Sequence, residues 1–430
     1  MTHECWNKRI LWIDLSNGST SIKVLPEHVY SKYIGGKGLG AYLLFNNLKK
    51  GIDPLGSENI FILLSGPLQG LPAPNVGRWS VVTKSPLTGI FLDSHCGGST
   101  GRDIKKAGYD AVCIKGRASN PMVLVIDDDA IEFQDASEYW GKGVYESTNL
   151  LHQKYGKDFS VYTIGQAGEN QVLIATGCCE IAHQTGRGGT GAVLGSKNLK
   201  AIVVRGTKKI QAHDSDAIRQ VNKEFNATWQ ELDIDFKKYG SRHLVEIANE
   251  VGQYPANNSK NGFFDEYQKL DHVMMEEEYG MGSHHSCPHC IMRCTHALRT
   301  TDPRNPSNEV ESMIEYETLG LLGGNLGVSD PQAVLKLNYL CDDLGLDTIS
   351  AGGVIGFAME ASERGILTDE DIGFALSFGN PDGAIRLLTL IVNREGLGEI
   401  LSKGVRSASQ EFGEGSERFA VHVKGLEVPA

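Results

Sequence analysis

The 430-residue chain has no uninterrupted run of about 18 apolar residues, so no transmembrane helix is read from it. Its first residues, Met1-Thr2-His3-Glu4-Cys5-Trp6-Asn7, carry no basic stretch followed by an apolar one, so no secretory signal is read there either. Positive charge is in deficit. Forty-one Lys and Arg against 53 Asp and Glu leave a net charge of −12, which argues against general nucleic-acid affinity while leaving room for local basic pockets. No period-matched repeat and no low-complexity segment appears. Nine cysteines, an odd number, do not make a disulfide framework and fit a reducing compartment. The expectation is a soluble, cytoplasmic protein with neither membrane nor nucleic acid as partner.

What the chain has in excess is glycine. It holds 51, where average usage of roughly 7% gives about 30. Many fall between Gly35 and Gly195, as suits backbone that must approach a ligand closely. At 40% hydrophobic and 22% charged the rest is ordinary, and the length allows two or three domains with real cores.

Three of the cysteines stand together in Cys287-Pro288-His289-Cys290-Ile291-Met292-Arg293-Cys294. Thiolates at that spacing form a soft-ligand claw of the kind that holds iron–sulfur clusters, and a [4Fe–4S] cluster needs a fourth ligand from elsewhere. A Cys₃His zinc site, completed by His284, His285, His289 or His296, is the competing reading, because C-x₂-C alone does not choose the metal. Cys178, Cys179 and Cys341 read instead as small buried hydrophobes.

Up to about Thr207 the pattern is strand-rich. Arg9 to Leu15 and Ser21 to Val24 flank Ser16-Asn17-Gly18 as a hairpin, and short β-branched runs recur at Ile60 to Leu64, Trp79 to Thr83, Met122 to Ile126, Val161 to Ile164 and Ala201 to Arg205. Helices are expected over Ala41 to Leu48 and Gly143 to Tyr155. From about Ser215 apolar residues recur at three and four positions, in Leu335 to Leu344, Val354 to Ala361 and Ala384 to Val392, and the pattern is helical. The fold class is therefore α+β, with a β-rich region followed by a mainly helical one and a boundary in the polar strip Gly206 to Asp214.

Two stretches match dinucleotide fingerprints, Gly186-Arg187-Gly188-Gly189-Thr190-Gly191 and Gly36-Lys37-Gly38-Leu39-Gly40-Ala41. No acid falls within Ala192 to His213, and Glu27 to Tyr33 before the other loop reads as helix, so both fail the context a nicotinamide site requires. Such loops can still hold a phosphorylated cofactor through backbone N–H groups. Arg78, Arg187, Lys197 and Lys200 supply positive charge nearby in sequence.

Taken together, these residues resemble the tungsten-containing aldehyde:ferredoxin oxidoreductase family. The resemblance runs through Ile34 to Gly40, Lys84-Ser85-Pro86-Leu87-Thr88-Gly89, Ala107-Gly108-Tyr109-Asp110, Ile164 to Asn170, Gly186 to Leu199, the cysteine claw, Glu315-Tyr316-Glu317-Thr318, and Asp342-Asp343-Leu344-Gly345-Leu346-Asp347. It implies a β-rich saddle, residues 1–210, carrying a tungsten (or molybdenum) bis-pyranopterin cofactor. A helical domain over 211–415 follows, and the start of a truncated third domain over 416–430. It implies a [4Fe–4S] cluster on Cys287, Cys290 and Cys294, with Arg78 between pterin and cluster. Gly97, His183, Gly186 and Arg187 are expected at the pterin phosphates, Asp342, Leu346 and Asp347 at the pterin, and Glu317 near the tungsten as a proton carrier or substrate-orienting group.

Two positions depart from the family pattern. Where many members have an Asn that holds a phosphate-bridging magnesium ion, this chain has His95, a poorer ligand for a hard cation, although the backbone carbonyl of Gln184 could still serve. Many members have Arg where this chain has His183. The implied reaction is two-electron interconversion of an aldehyde and a carboxylic acid, with electrons leaving through the cluster to ferredoxin or a partner iron–sulfur subunit. The alternatives are the tungsten subunit of a benzoyl-coenzyme A reductase, acting on an acyl substrate, and an inactive truncated relative. A homodimer or heteromer is expected. Family members continue beyond the stretch that Val423 to Ala430 resembles, so the chain is expected to be a fragment or one part of a split enzyme that alone binds cofactor poorly and turns over no aldehyde.

Overall fold

The computed structural model describes residues 5–232, 234–413 and 415–430, which divide into two compact units. The first holds residues up to 171, 175–233 and 286–292; the second holds 172–174, 234–285 and 293–430. Among the described residues no helix is long and apolar enough to cross a membrane.

The first unit is built on two six-stranded sheets. One contains β1 (Arg9–Asp14), β2 (Ser19–Val24), β3 (Phe61–Leu64), β4 (Trp79–Lys84), β5 (Phe91–Cys96) and β6 (Ala111–Lys115), in the order β2-β1-β6-β3-β4-β5. The other contains β7 (Met122–Asp127), β8 (Ala130–Asp135), β9 (Ser160–Ile164), β10 (Gly177–Cys179), β11 (His183–Thr185) and β12 (Leu199–Arg205), in the order β11-β10-β9-β12-β7-β8. Each sheet has one parallel pair, β1 with β6 and β7 with β12. The hairpin expected at Ser16-Asn17-Gly18 is present: Asn17 Oδ1 accepts from the Ser19 amide at 2.9 Å and Gly18 takes a φ of 67°.

The central strands are apolar on both faces and lie between three apolar layers, while the edge strands β2 and β8 have no buried residue. Leu11, Leu63, Trp79 and Val81 of the first sheet share one core with Leu124, Tyr162, Ile202 and Val204 of the second. The alternate residues Ile10, Ile62, Leu64 and Val82 pack under Tyr30, Leu39 and Leu43 of the helices Glu27–Tyr33 and Gly36–Asn47. On the far side Val123, Val161 and Val203 pack against Leu151 of the helix Val144–Tyr155. At roughly 1.5–3 kcal/mol for each large aliphatic or aromatic side chain fully buried, these three layers dominate the stability of the unit. Gly40 lets its helix lie close to the sheet, since a Cβ there would stand 2.6 Å from Val82 Cγ2.

The second unit is mainly helical. Its three longest helices start at side-chain caps, Asp330 for Pro331–Leu344, Asp347 for Thr348–Glu363 and Asn380 for Pro381–Asn393. Thr348–Glu363 is buried on nearly every side, and a Cβ at Gly352 would run into the Leu321 backbone. The helical sequence pattern does not disclose a three-stranded antiparallel sheet in this unit, β13 (Met281–His285), β14 (Thr295–Asp302) and β15 (Asn305–Met313). β15 begins Asn-Pro-Ser-Asn and is exposed over its first five residues, so it lacks an apolar face to read.

Lys197, expected beside a ligand, is fully buried, and its Nζ donates to the carbonyls of Asn59 at 2.7 Å and Gly116 at 3.2 Å. Lys200 is buried too, paired with Glu169 at 2.5 Å. Both amines therefore tie strand ends together. Burial, with the Arg117 guanidinium adding to it, brings the Lys197 pKa down to about 7. Between that value and the ordinary 10.5 the unfolded chain binds one proton more than the folded one, so stability rises with pH across this window. Denaturant unfolding of the protein and of Lys197→Met should give a stability difference that climbs in favour of the parent by up to ~1.4 kcal/mol per pH unit from pH 7 to 10, and stays flat below pH 6. A flat difference throughout would mean the amine remains charged.

Candidate cofactor and metal site

In the first unit the start of β4, the end of β5, β11 and the turn after it come together. Ser94 Oγ donates to the Gly186 carbonyl at 2.7 Å and Ser85 Oγ to the Gly188 carbonyl at 2.7 Å, which holds the turn against β5. Arg187, Gly188 and Gly189 all take positive φ, 74°, 72° and 86°. Successive residues in that region turn their N–H groups to one side and form an anion-binding concavity. A Cβ at Gly186 would meet nothing within 4 Å, so this turn borders open space, and Arg187 is half-buried beside it. β11 precedes the turn, but it pairs antiparallel with β10, which pairs antiparallel with β9, unlike the parallel sheet of a dinucleotide fold.

The cysteine segment lies on this same edge. Residues 286–292 belong to the first unit, although the strands on either side of them, β13 and β14, belong to the second. Asn75 anchors the segment: its amide donates to the His289 carbonyl at 3.2 Å, and its Oδ1 accepts from the Ile291 amide at 3.3 Å. Cys290 N donates to the Cys287 carbonyl at 3.0 Å, closing a tight turn between the two thiols. Cys287 sits directly over Gly77 and Gly97. A Cβ at Gly77 would run into Cys287 Cβ, and one at Gly97 would stand 2.7 Å from Cys287 Sγ and 2.9 Å from His183 Nδ1. Arg78 follows Gly77 and is exposed, its carbonyl held by Gln69 Nε2 at 2.9 Å.

Cys294 belongs to the second unit, where its carbonyl lies against Gly240. Among the described residues no three His, Cys, Asp or Glu side chains are grouped to hold a metal ion. Of the histidines weighed for a zinc site, His285 Nε2 bonds Ser283 Oγ at 3.0 Å and His296 Nε2 bonds the Arg293 carbonyl at 2.8 Å. The side chain of His284 lies outside the described residues.

His95 is part of a hydrogen-bonded chain. Its Nδ1 lies 3.0 Å from Ser80 Oγ and its Nε2 3.1 Å from Asp93 Oδ2, which also pairs with Lys37 at 2.9 Å. With both ring nitrogens engaged, the imidazole has no lone pair to offer, and this arrangement does not fit a magnesium ligand. Gln184 is half-buried and pairs with Cys178 across β10 and β11. Sequence reasoning missed Asn75, Lys37 and Ser80 as supports of this edge. Asn75 had a signal, as a turn residue after Pro74 and just ahead of Gly77.

The second unit gathers acids. Asp342, in the helix Pro331–Leu344, is buried, and its Oδ2 accepts from Asn338 Nδ2 at 3.1 Å; that amide also donates to Ser312 Oγ at 2.8 Å. Burial, reinforced by Glu315, pushes the Asp342 carboxyl well above its ordinary range. The helix ends at Gly345 in the left-handed region; the buried Leu346 then donates to the Cys341 carbonyl at 2.8 Å, and Asp347 caps the next helix through the Ile349 amide at 3.1 Å. The acids therefore stand at a helix end with a glycine cap, but they are buried and not solvated. Glu317 is half-buried, accepts from the Ala430 amide at 2.9 Å, and precedes a π-helical turn, Leu319–Gly323. Cys341 is fully buried, as are Cys178 and Cys179.

Comparison with known proteins gives matches over nearly all of this chain. A family model described as aldehyde ferredoxin oxidoreductase, N-terminal domain, matches residues 10–206, and one described as domains 2 and 3 of the same enzyme matches 216–430. The tungsten-containing aldehyde ferredoxin oxidoreductase of Pyrococcus furiosus is 36% identical over 428 residues, covering 98% of this chain and 69% of its own length. From the same organism, an aliphatic sulfonate oxidoreductase, WOR-like subunit, is 33% identical over 452 residues, covering 99% of this chain and 71% of its own. Among solved structures, the active site complex BamBC of benzoyl coenzyme A reductase with 1,5-dienoyl-CoA is similar at a TM-score of 0.86 and 29% identity. That match covers 99% of this chain and 66% of the solved one.

The raised carboxyl of Asp342 has a measurable signature. A folded-state pKa above the ordinary 3.8 means the folded chain holds the proton more tightly, so this group costs stability as pH rises above that value. Asp342→Asn keeps the shape and removes the titration. It should be more stable than the parent by on the order of 1–3 kcal/mol at pH 7, with the gain vanishing below about pH 4, in paired denaturant titrations. A gain that does not change with pH would show that the carboxyl is not the cause.

Proposed function

Because the chain belongs to the aldehyde ferredoxin oxidoreductase family, we propose that it is a tungsten-dependent oxidoreductase that interconverts an aldehyde and a carboxylic acid. Electrons leave singly through a [4Fe–4S] cluster to ferredoxin or a partner iron–sulfur subunit. The observation that carries this reading is the seating of Cys287 on Gly77 and Gly97, next to Arg78, His183 and the open turn at Gly186. A cluster loop and a phosphate-binding turn share one edge there, as electron transfer between a pterin centre and a cluster requires.

On this reading residues 1–210 carry the cofactor. Arg187 and the left-handed turn 187–189 hold the pterin phosphates, and the open space before Gly186 is what a bulky anion needs. Gly97 and His183 border the same edge, and Arg78, exposed next to Gly77, is the residue this reading sets between pterin and cluster. Cys287, Cys290 and Cys294 ligate the cluster. In residues 211–415, Asp342 and Asp347 would accept N–H groups of the pterin ring through their carboxyl oxygens, with Leu346 between them in sequence. When bound, the centre would supply the two-electron redox chemistry of the reaction. Glu317, half-buried, holds or moves a proton at its carboxylate as the substrate carbonyl changes state.

A second reading rests on the structural similarity to the benzoyl coenzyme A reductase complex, which was solved with a dienoyl thioester. It keeps the same cofactor and replaces aldehyde oxidation by reduction of an aromatic acyl thioester. Oxidation of aldehydes with a ferredoxin-like acceptor, against thioester reduction with a low-potential donor, separates the two.

Metal analysis of anaerobically purified protein should find tungsten and iron in place of zinc. Cys290→Ala should lose the broad absorbance near about 400 nm that such clusters give, along with most of the iron. Stoichiometric zinc with no iron would defeat the cluster assignment.

A further inference from the structure

The sulfur of Cys287 is held in a small cradle of N–H groups. The Gly98 amide donates to it at 3.4 Å, and His183 Nε2 stands 4.0 Å away, within reach of the long hydrogen bonds sulfur accepts. A side-chain carbon on either neighbouring glycine would crowd this space. A Cβ at Gly98 would come within 3.2 Å of His183 Cδ2 and 2.6 Å of Cys179 Sγ, and one at Gly97 would fall between the imidazole and the thiol. Gly98 takes a φ of 78°, a conformation that itself favours glycine and that turns its amide toward the sulfur.

The imidazole is fixed from behind. His183 opens β11 and pairs with Cys179 of β10, and its carbonyl accepts from Cys96 Sγ at 3.3 Å. The ring therefore leaves the strand in one direction, across Gly97 and Gly98, toward Cys287. The Ser94 hydroxyl and the Asn75 side chain hold the two loops on either side of it, through Gly186 and Ile291. An arrangement this constrained on both sides is a built contact.

We infer that His183 is a positioning residue for the cluster. With its proton on Nε2 it joins the Gly98 amide in donating to the Cys287 thiolate, and so sets the reduction potential of the centre that thiolate ligates. This rests on the cluster assignment made above. The physical reason is direct. Reduction adds one electron whose charge spreads onto the ligand sulfurs, and a donor aimed at a sulfur stabilises the reduced form more than the oxidised one. Two donors on one sulfur raise the potential relative to one. The histidine acts through Cys287 and touches neither substrate nor the reacting atoms.

The test uses anaerobically purified holoprotein carrying His183→Phe, which keeps a ring and removes the donor, and His183→Gln, which keeps a donor. The midpoint is read on variant protein whose iron content matches that of the parent. Redox titration of the cluster's electron paramagnetic resonance signal should place the midpoint of the Phe variant below the parent, with the Gln variant restored part of the way. A fully loaded Phe variant with an unmoved midpoint overturns the inference and leaves the cluster assignment standing. Should the Phe variant fail to assemble a cluster, the parent decides. Protein labelled with ¹⁵N-histidine should show a weak nitrogen coupling to the reduced cluster by electron–nuclear double resonance, lost in His183→Gln, and its absence overturns the inference. Purified protein without iron overturns both the inference and the cluster assignment.

Discussion

Two absent side chains hold the most informative part of this molecule together. Cys287 can lie against the rest of the first unit only because Gly77 and Gly97 present bare backbone; a methyl group at Gly77 would occupy the space of its Cβ, and one at Gly97 would reach its sulfur. The site is thus defined by how closely one segment of chain can lie on another. Asn75 supplies the hydrogen bonds that keep the segment there, and Trp79 Nε1, donating to the Gly97 carbonyl at 2.6 Å, fixes the backbone beneath it. Remove the close approach and Cys287 and Cys290 have no seat beside the turn that starts at Gly186.

Much of this was legible in the sequence, for reasons specific to each element. Phe61–Leu64 is wholly apolar and Leu199–Arg205 carries Ala201, Ile202, Val203 and Val204 in a row because both faces are covered, and such runs are readable by composition alone. The helices Pro331–Leu344 and Pro381–Asn393 carry cap, proline and apolar spacing together. The strand Gly177–Cys179 is too short for any alternation, and the sheet around the cysteine segment is too polar on its outer strand. Lys197 and Lys200 look like anion ligands in a linear reading. Their burial follows from strand order, which brings Asn59 and Gly116 to Lys197 and which no local pattern encodes.

The candidate site shows the same division. The cysteine spacing and the glycine turns announce themselves, because their chemistry depends on residue type. The hydrogen bonds that fix them do not, since Ser85, Ser94, Asn75 and Ser80 are ordinary residues made significant only by what the fold places opposite them. The acids of the second unit fall between these cases. Their spacing about Gly345 reads as a helix end, while the burial that raises the Asp342 carboxyl comes from packing that spacing does not reveal.

The strand order also bears on how the chain acquires its structure during synthesis. All six strands of one sheet lie between Arg9 and Lys115, and all six of the other between Met122 and Arg205, so the sheets are consecutive in the chain and do not interleave. The first sheet is closed by the parallel pairing of β1 with β6 and can form once residue 115 has left the ribosome. Its inner face, carrying Leu11, Leu63, Trp79 and Val81, is covered in part by Ile104 and then waits for the partner sheet, completed some ninety residues later by β12. At roughly 5–20 residues per second that interval lasts from several seconds to about twenty. Apolar surface waits for its partner throughout, and in that interval, more than in the finished protein, the chain is open to aggregation.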